Sequence, residues 1–283
     1  MPAAPKVETL LAGLTFPEGP RWRDGKLWFS DFYTFRVLTV DPSGRTETIA
    51  TVPQRPSGLG WTPGGKLLIV SMLDRRLLRL EGKELRLHAD LASIATGPCN
   101  DMVVDRAGRA YVGNFGYDRH AGAEPRPATI ARVDPDGRVS AAAGDFSFPN
   151  GSVITPDGKT FVVGETYANR LTAFDIGKNG ELNNRRLFAQ LDGCFPDGIC
   201  LDAEGAIWVT DAKGNRILRV FEGGRIERRI SMGAQGAFAC MLGGPDRRTL
   251  YICSSSGSGP AMAQKRDGRI DFIRVDVPGA GLP

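Results

Sequence analysis

Residues 195–211 read FPDGICLDAEGAIWVTD. A four-residue head, FPDG, leads into a short apolar stretch, a turn at AEG, and the run AIWVTD, which is rich in β-branched and aromatic residues and ends in an acid. Short apolar runs bounded by Gly, Pro, Asp and Asn are the mark of strands and tight turns, and helical spacing is hard to find anywhere in the chain. The arrangement recurs. KLWFSD (26–31), KLLIVS (66–71), RAYVGN (109–114), TFVVGE (160–165), AIWVTD (206–211) and TLYICS (249–254) are six versions of one strand. Each follows a turn such as RDG, PGG, PDG or AEG, where Gly takes up positive φ cheaply. A further strand-like run then ends near an acid, as in FRVLTVD, NRLTAFD and DFIRVD.

Upstream of each first strand sits an anchor: PEG, PSG, CND, PNG, PDG and, less clearly, AFA at 237–239. Anchors fall roughly 40 to 50 residues apart, the period of a repeated β unit. Six units of about four strands each predict one all-β domain over residues 1–283, a six-bladed β-propeller of antiparallel strands that leaves no long open edge. The preceding stretch, VETLLAGL, has no unit of its own and is expected to pair with the last blade and close the ring. A β-sandwich is the rival, and six equivalent units argue against it. The widest spacing holds GYDRHAGAEPRPA (116–128), too long for a hairpin turn and readable as a lid or as a tolerated surface insertion.

Composition narrows the function. The chain has 283 residues and a formal net charge of +4, with basic residues scattered singly. Its one dense patch, Arg228 and Arg229 with Arg225 nearby, reads as decoration of a strand edge. Without a basic stripe carrying stacking aromatics, nucleic-acid binding is not expected. No apolar run approaches membrane-spanning length, and MPAAPKVETLLAG lacks the layout of a signal peptide. Five cysteines without CxxC spacing fit a reducing compartment, so a cytoplasmic protein, monomeric or a small homo-oligomer, is expected.

The chemistry lies in the anchors. FPEG (16–19), FPNG (148–151) and FPDG (195–198) differ only at Glu18, Asn150 and Asp197, each with a side-chain oxygen. Equivalent positions of successive repeats sit at one level around a propeller axis, so these oxygens should face one point, joined by Asn100 of the CND anchor. Two carboxylates and two amide oxygens form a hard-donor set for one divalent ion, calcium first, then magnesium or manganese, with zinc or iron also within reach of carboxylates. The plainer reading is three tight turns, in which Pro fixes φ and Gly closes the turn. Phe16, Phe148 and Phe195 are expected to pack beside the site as core.

Other catalytic signatures are missing. There is no G-x-S-x-G elbow, no HExxH and no phosphate loop, and DPDG at 134–137 lacks the remaining ligands of an EF-hand. His88 reads as a half-exposed structural residue, whereas His120, in the long segment, is a candidate at the site mouth. Cys99 and Cys194 read as buried thiols rather than nucleophiles.

FPEGPRW, GPCNDMVVDRAGRAYVGNFG, FPNGSVITPDGKTFVVGET, FPDGICLDAEGAIWVTD and GGPDRRTLYIC together resemble the gluconolactonase and regucalcin (senescence-marker protein) family across nearly the whole chain. The resemblance implies a six-bladed propeller, one divalent metal in its channel and hydrolysis of lactones. It puts the metal-binding glutamate, asparagine and aspartate on Glu18, Asn150 and Asp197, and a substrate-side asparagine on Asn100, followed by Asp101. Sugar-lactone-binding members carry an arginine where this chain has Pro98, which removes a fork of donors suited to hydroxyls. Around the anchors stand Phe16, Tyr33, Phe115, Tyr117, Phe146, Phe148, Tyr167, Phe195 and Phe238. An aromatic pocket favours a less polar lactone or ester, with Phe115, Tyr117 and His120 as substrate contacts. The expected reaction is metal-assisted hydrolysis with Asp197 or Asp101 as base. A metal-dependent phosphotriesterase and a non-enzymatic binding platform are the alternatives.

Overall fold

The structure, a computed structural model, describes residues 6–280, apart from the side chain of His120. Six four-stranded antiparallel sheets stand in a ring, each strand pairing with the next in sequence. The blades span 17–51, 56–90, 99–146, 149–190, 196–231 and 236–274. The sixth sheet is completed by Glu8–Leu14, which pairs antiparallel with Gly268–Arg274 and closes the ring as expected. The innermost strands are Pro17–Arg23, Pro56–Trp61, Cys99–Val104, Pro149–Ile154, Pro196–Leu201 and Gly236–Gly243, each lying beside the next around the axis. The six repeated runs form the second strand of each blade.

The core is divided among the clefts between blades rather than gathered in one centre. One cluster joins Leu59, Ile69 and Val37 across blades one and two. Another joins Leu68, Val70, Val104 and Val112 across blades two and three. Every middle strand therefore has apolar neighbours on both faces, which is why AIWVTD and KLLIVS read as continuous apolar runs instead of alternating ones. Arg228 and Arg229 lie on Ile226–Ser231, the outermost strand of blade five. Among the described residues no helix is long and apolar enough to cross a membrane.

The Phe-Pro-donor-Gly segments correct one expectation. They are not tight turns: Pro17, Pro149 and Pro196 each open an inner strand, a position where a missing N–H is tolerated. Of their glycines only Gly19 has positive φ (57°); Gly151 and Gly198, without it, let the neighbouring inner strand approach. A Cβ on Gly151 would lie 2.5 Å from the Ile199 nitrogen, and one on Gly198 would lie 2.5 Å from the Ala239 Cα. Gly151→Ala should therefore cost about 2 kcal/mol, the usual scale for overpacking against backbone. A urea midpoint equal to that of the parent chain would refute this.

The acids ending the second strands hold the anchors from behind. Buried Asp31 accepts the backbone N–H groups of Thr15 (2.9 Å) and Phe16 (2.8 Å) and the hydroxyls of Thr15 (2.5 Å) and Thr34 (2.7 Å). Asp211 accepts the Phe195 N–H at 3.0 Å, and Glu165 accepts the Ser147 N–H at 2.9 Å. Asp31→Ala leaves buried donors without partners and should remove about 3 kcal/mol of stability, because each orphaned group keeps its desolvation cost. Chemical denaturation measures it, and a loss under about 1 kcal/mol would show the donors rehydrate.

Candidate active site

In every blade the ladder between the first two strands slips register at the anchor, between Glu18 and Arg21 in blade one and between Pro149 and Ser152 in blade four, for example. The same slip follows Pro56, Cys99, Pro196 and Ala237. A bulge re-aims a side chain. Here it turns Glu18, Asn100, Asn150, Asp197 and Phe238 toward the axis, where they line one cavity of about 350 Å³.

A directed chain of hydrogen bonds runs across the floor. The Ser57 hydroxyl donates to Asn100 Oδ1 (3.3 Å), and Asn100 Nδ2 donates to Asn150 Oδ1 (2.9 Å). Asn150 Nδ2 donates to the Thr166 hydroxyl (3.3 Å), which donates to the Pro196 carbonyl (2.7 Å). The chain links four neighbouring blades and orients both amides. Glu18 Oε2 accepts its neighbour Gly19 N–H at 3.1 Å. Burial lifts the Glu18 carboxyl well above the usual carboxylate range, and the charge of Asp197 adds to it. Burial likewise pushes Asp197 up to about 8, against the opposing pull of Arg119 and the bond to Asn150.

The two candidate bases separate. Asp197 faces the cavity, whereas Asp101 lies outside its lining. Asp101 Oδ1 accepts from buried Arg21 Nη2 (2.8 Å) and from the Met102 N–H (2.8 Å). The donor set suits a hard divalent cation: buried Glu18 and half-buried Asp197 meet two amides, while the cation beside Glu18, Arg21, is committed to Asp101. Among the described residues no three His, Cys, Asp or Glu groups cluster as a metal site, so amide oxygens have to complete any coordination.

Of the nine aromatic residues counted around the anchors, seven line the cavity. Phe115 does so, stacked on Phe148 with ring centroids 4.4 Å apart. Phe146 is buried in the cleft between blades three and four, and Tyr117 faces an adjoining depression beside Tyr167. The side chain of His120 lies outside the described residues. His88 is half-buried on the outermost strand of blade two, away from the cavity. All five cysteines are buried and unpaired, and burial pushes the Cys99 thiol up to about 12, so none is poised as a nucleophile.

Sequence reasoning missed Arg55, Arg119, Lys213 and Phe32, all of which line the cavity. Arg55 was legible: it stands before Pro56 as Phe16, Phe148 and Phe195 stand before their prolines. Arg119 comes from the long segment 116–128, within a short 3₁₀ turn, Arg119–Ala121, which brings that segment over the cavity mouth.

The family model for the SMP-30/gluconolactonase/LRE-like region matches residues 16–256, from the first anchor to the end of the last repeated strand. The chain belongs to that family. The family region leaves outside it the two strands that close the ring, Glu8–Leu14 and Gly268–Arg274. Among family relatives, the 6-deoxy-6-sulfogluconolactonase of Pseudomonas putida is 29% identical over 280 residues, covering 94% of this chain and 93% of its own. Regucalcin of Danio rerio is 31% identical over 282 residues, covering 94% and 92%. A solved structure of regucalcin from Agrobacterium tumefaciens, described as a calcium-binding protein, superposes with a TM-score of 0.83 at 24% identity, covering 99% and 96%. That last likeness speaks for the fold.

Proposed function

We propose that this SMP-30/gluconolactonase family chain is a divalent-metal-dependent hydrolase that opens small lactones. The observation that carries the reading is the convergence of Glu18, Asn150 and Asp197 on the floor of one aromatic-walled cavity. Relatives named as lactonases support the substrate class, and the all-oxygen donor set favours a hard cation, calcium first.

Glu18, Asn150 and Asp197 would hold the ion, which when bound supplies Lewis-acid polarisation of the lactone carbonyl and charge for the developing oxyanion. The Asp197 carboxylate takes a proton from the attacking water as the water oxygen bonds to the carbonyl carbon. When the ring C–O bond breaks, Asp197 returns that proton to the departing alkoxide, and a hydroxy acid leaves. Asn100, oriented by Ser57, steadies Asn150 and offers the substrate a polar contact at the floor. The aromatic wall keeps bulk water from the reacting carbonyl. A cytoplasmic location accords with five buried free thiols.

The deciding experiment assays metal-reconstituted protein against lactones and, separately, against phosphotriesters. Lactone turnover that calcium restores after chelation is the expected result. Turnover of phosphotriesters alone would replace this reaction class, and no turnover of either would leave a binding platform.

A further inference from the structure

The mouth of the cavity carries three cations that lactone opening does not use. Each lies against an aromatic residue of the wall. The Arg55 guanidinium carbon is 4.7 Å from the Tyr33 ring centroid, Arg119 is 5.9 Å from that of Phe148, and Lys213 Nζ is 4.1 Å from that of Phe195. Such stacking positions a cation but does not neutralise it. Arginines that open the third strands of blades four and five are paired instead, Arg170 with Glu165 and Arg216 with Asp211, each at 2.8 Å. Among the described residues Arg55, Arg119 and Lys213 form no ion pair.

Arg55 is the most constrained. It is half-buried, and its Nε is buried without a hydrogen-bond partner. It takes the ring position occupied by Phe16, Phe148 and Phe195 in other blades, with φ at 69°, the left-handed conformation that Phe148 also adopts there at 62°. An aromatic would fill that wall; a guanidinium there brings a fork of donors instead. Arg119 lines the same cavity over the blade-four aromatic Phe148, and its charge, like that of Arg55, reaches the Tyr33 hydroxyl. Its Nη1 also lies 3.4 Å from the Tyr167 hydroxyl. The cavity is thus polarised, with carboxylates at the floor and cations at the mouth.

We propose that Arg55 and Arg119 form an anion subsite that reads a carboxylate, sulfonate or phosphate group carried by the substrate away from its ester. This rests on the lactone reading for the identity of the ester and on the wall geometry for the anion. It also changes the expectation drawn from the aromatic count alone. The wall is apolar in its faces and cationic at its rim, so the selected feature is charge remote from the reacting carbonyl.

The test uses the full-length, calcium-loaded protein and matched lactones bearing no charge, a carboxylate, a sulfonate or a phosphate. The kcat/KM for a charged member should exceed that of the neutral one at least about tenfold, mostly through KM, as a charge-assisted contact would give. The preferred member identifies the anion. In Arg55→Met and Arg119→Met the ratio of charged to neutral kcat/KM should fall at least about tenfold, and Arg55→Lys should restore part of it. Calorimetry with open-chain hydroxy acids carrying the same anions gives a readout independent of turnover. Equal turnover of charged and neutral lactones, with ratios untouched in both variants, would overturn the subsite and leave the lactonase standing. Anion binding weakened by Arg55→Met in a protein that opens no lactone would overturn the lactone reading and support the subsite.

Discussion

Asp197→Ala should fold as the same propeller, retain no stoichiometric divalent ion and open lactones at least about a thousandfold more slowly, since it removes a metal donor and the base together. The fold is expected to survive because Asp197 contributes nothing to the clefts between blades where the apolar core lies. Without metal its carboxyl is a buried group that burial and the Asp101 charge both push toward the protonated form. Removing it should leave the metal-free melting temperature unchanged or higher. Asp197→Asn separates the two roles: the amide keeps an oxygen donor but cannot take a proton, so some metal retention with lost turnover is expected. An alanine variant that still carries one calcium per chain and hydrolyses at the parental rate would remove Asp197 from the site.

Stripping the ion should abolish hydrolysis and leave a protein whose stability falls as pH rises. Glu18 and Asp197 both bind their protons more tightly in the folded chain than in the unfolded one, where carboxyls titrate near about 4. The stabilising contribution of those protons is complete below that value. It is lost progressively as pH climbs through the folded value of about 8 for Asp197. Between about pH 5 and 8 the loss should be on the order of 3 kcal/mol. Calcium, which replaces the protons, should flatten the slope, so its stabilising effect grows with pH. Thermal unfolding across that window, with chelator and with calcium, reads both curves. A metal-free protein that gains stability from pH 5 to 8 would contradict the assignment of Glu18 and Asp197 to the site.

Much of this was legible in one dimension. The blade count followed from six copies of a run such as KLLIVS, because a strand packed on both faces must be apolar throughout and a turn must supply Gly or Asp at its end. The closing role of VETLLAGL followed from its having no partner unit. Glu18, Asn150 and Asp197, which line the cavity, were visible as the one variable position in an otherwise constant tetrapeptide. The tetrapeptide itself was misread, because Pro-Asp-Gly has the local chemistry of a turn whether or not the chain turns. What makes it a bulged strand is the next blade, whose backbone lies 2.5 Å from where a Cβ on Gly151 would be.

Asp101 and Arg119 show the other limit. By position Asp101 was as good a base as Asp197, yet Arg21, 80 residues away in sequence, holds it outside the cavity. Arg119 sat in a polar segment with no periodicity, and only the ring brings that segment above the mouth. Repetition along the chain alone sets the architecture and puts Glu18, Asn100, Asn150 and Asp197 at one level, since periodic burial leaves a periodic trace. Which acid faces the cavity, and which rim cations form no ion pair among the described residues, came from the folded ring. Those outcomes depend on contacts between blades far apart in sequence, and a spacing along the chain carries no record of them.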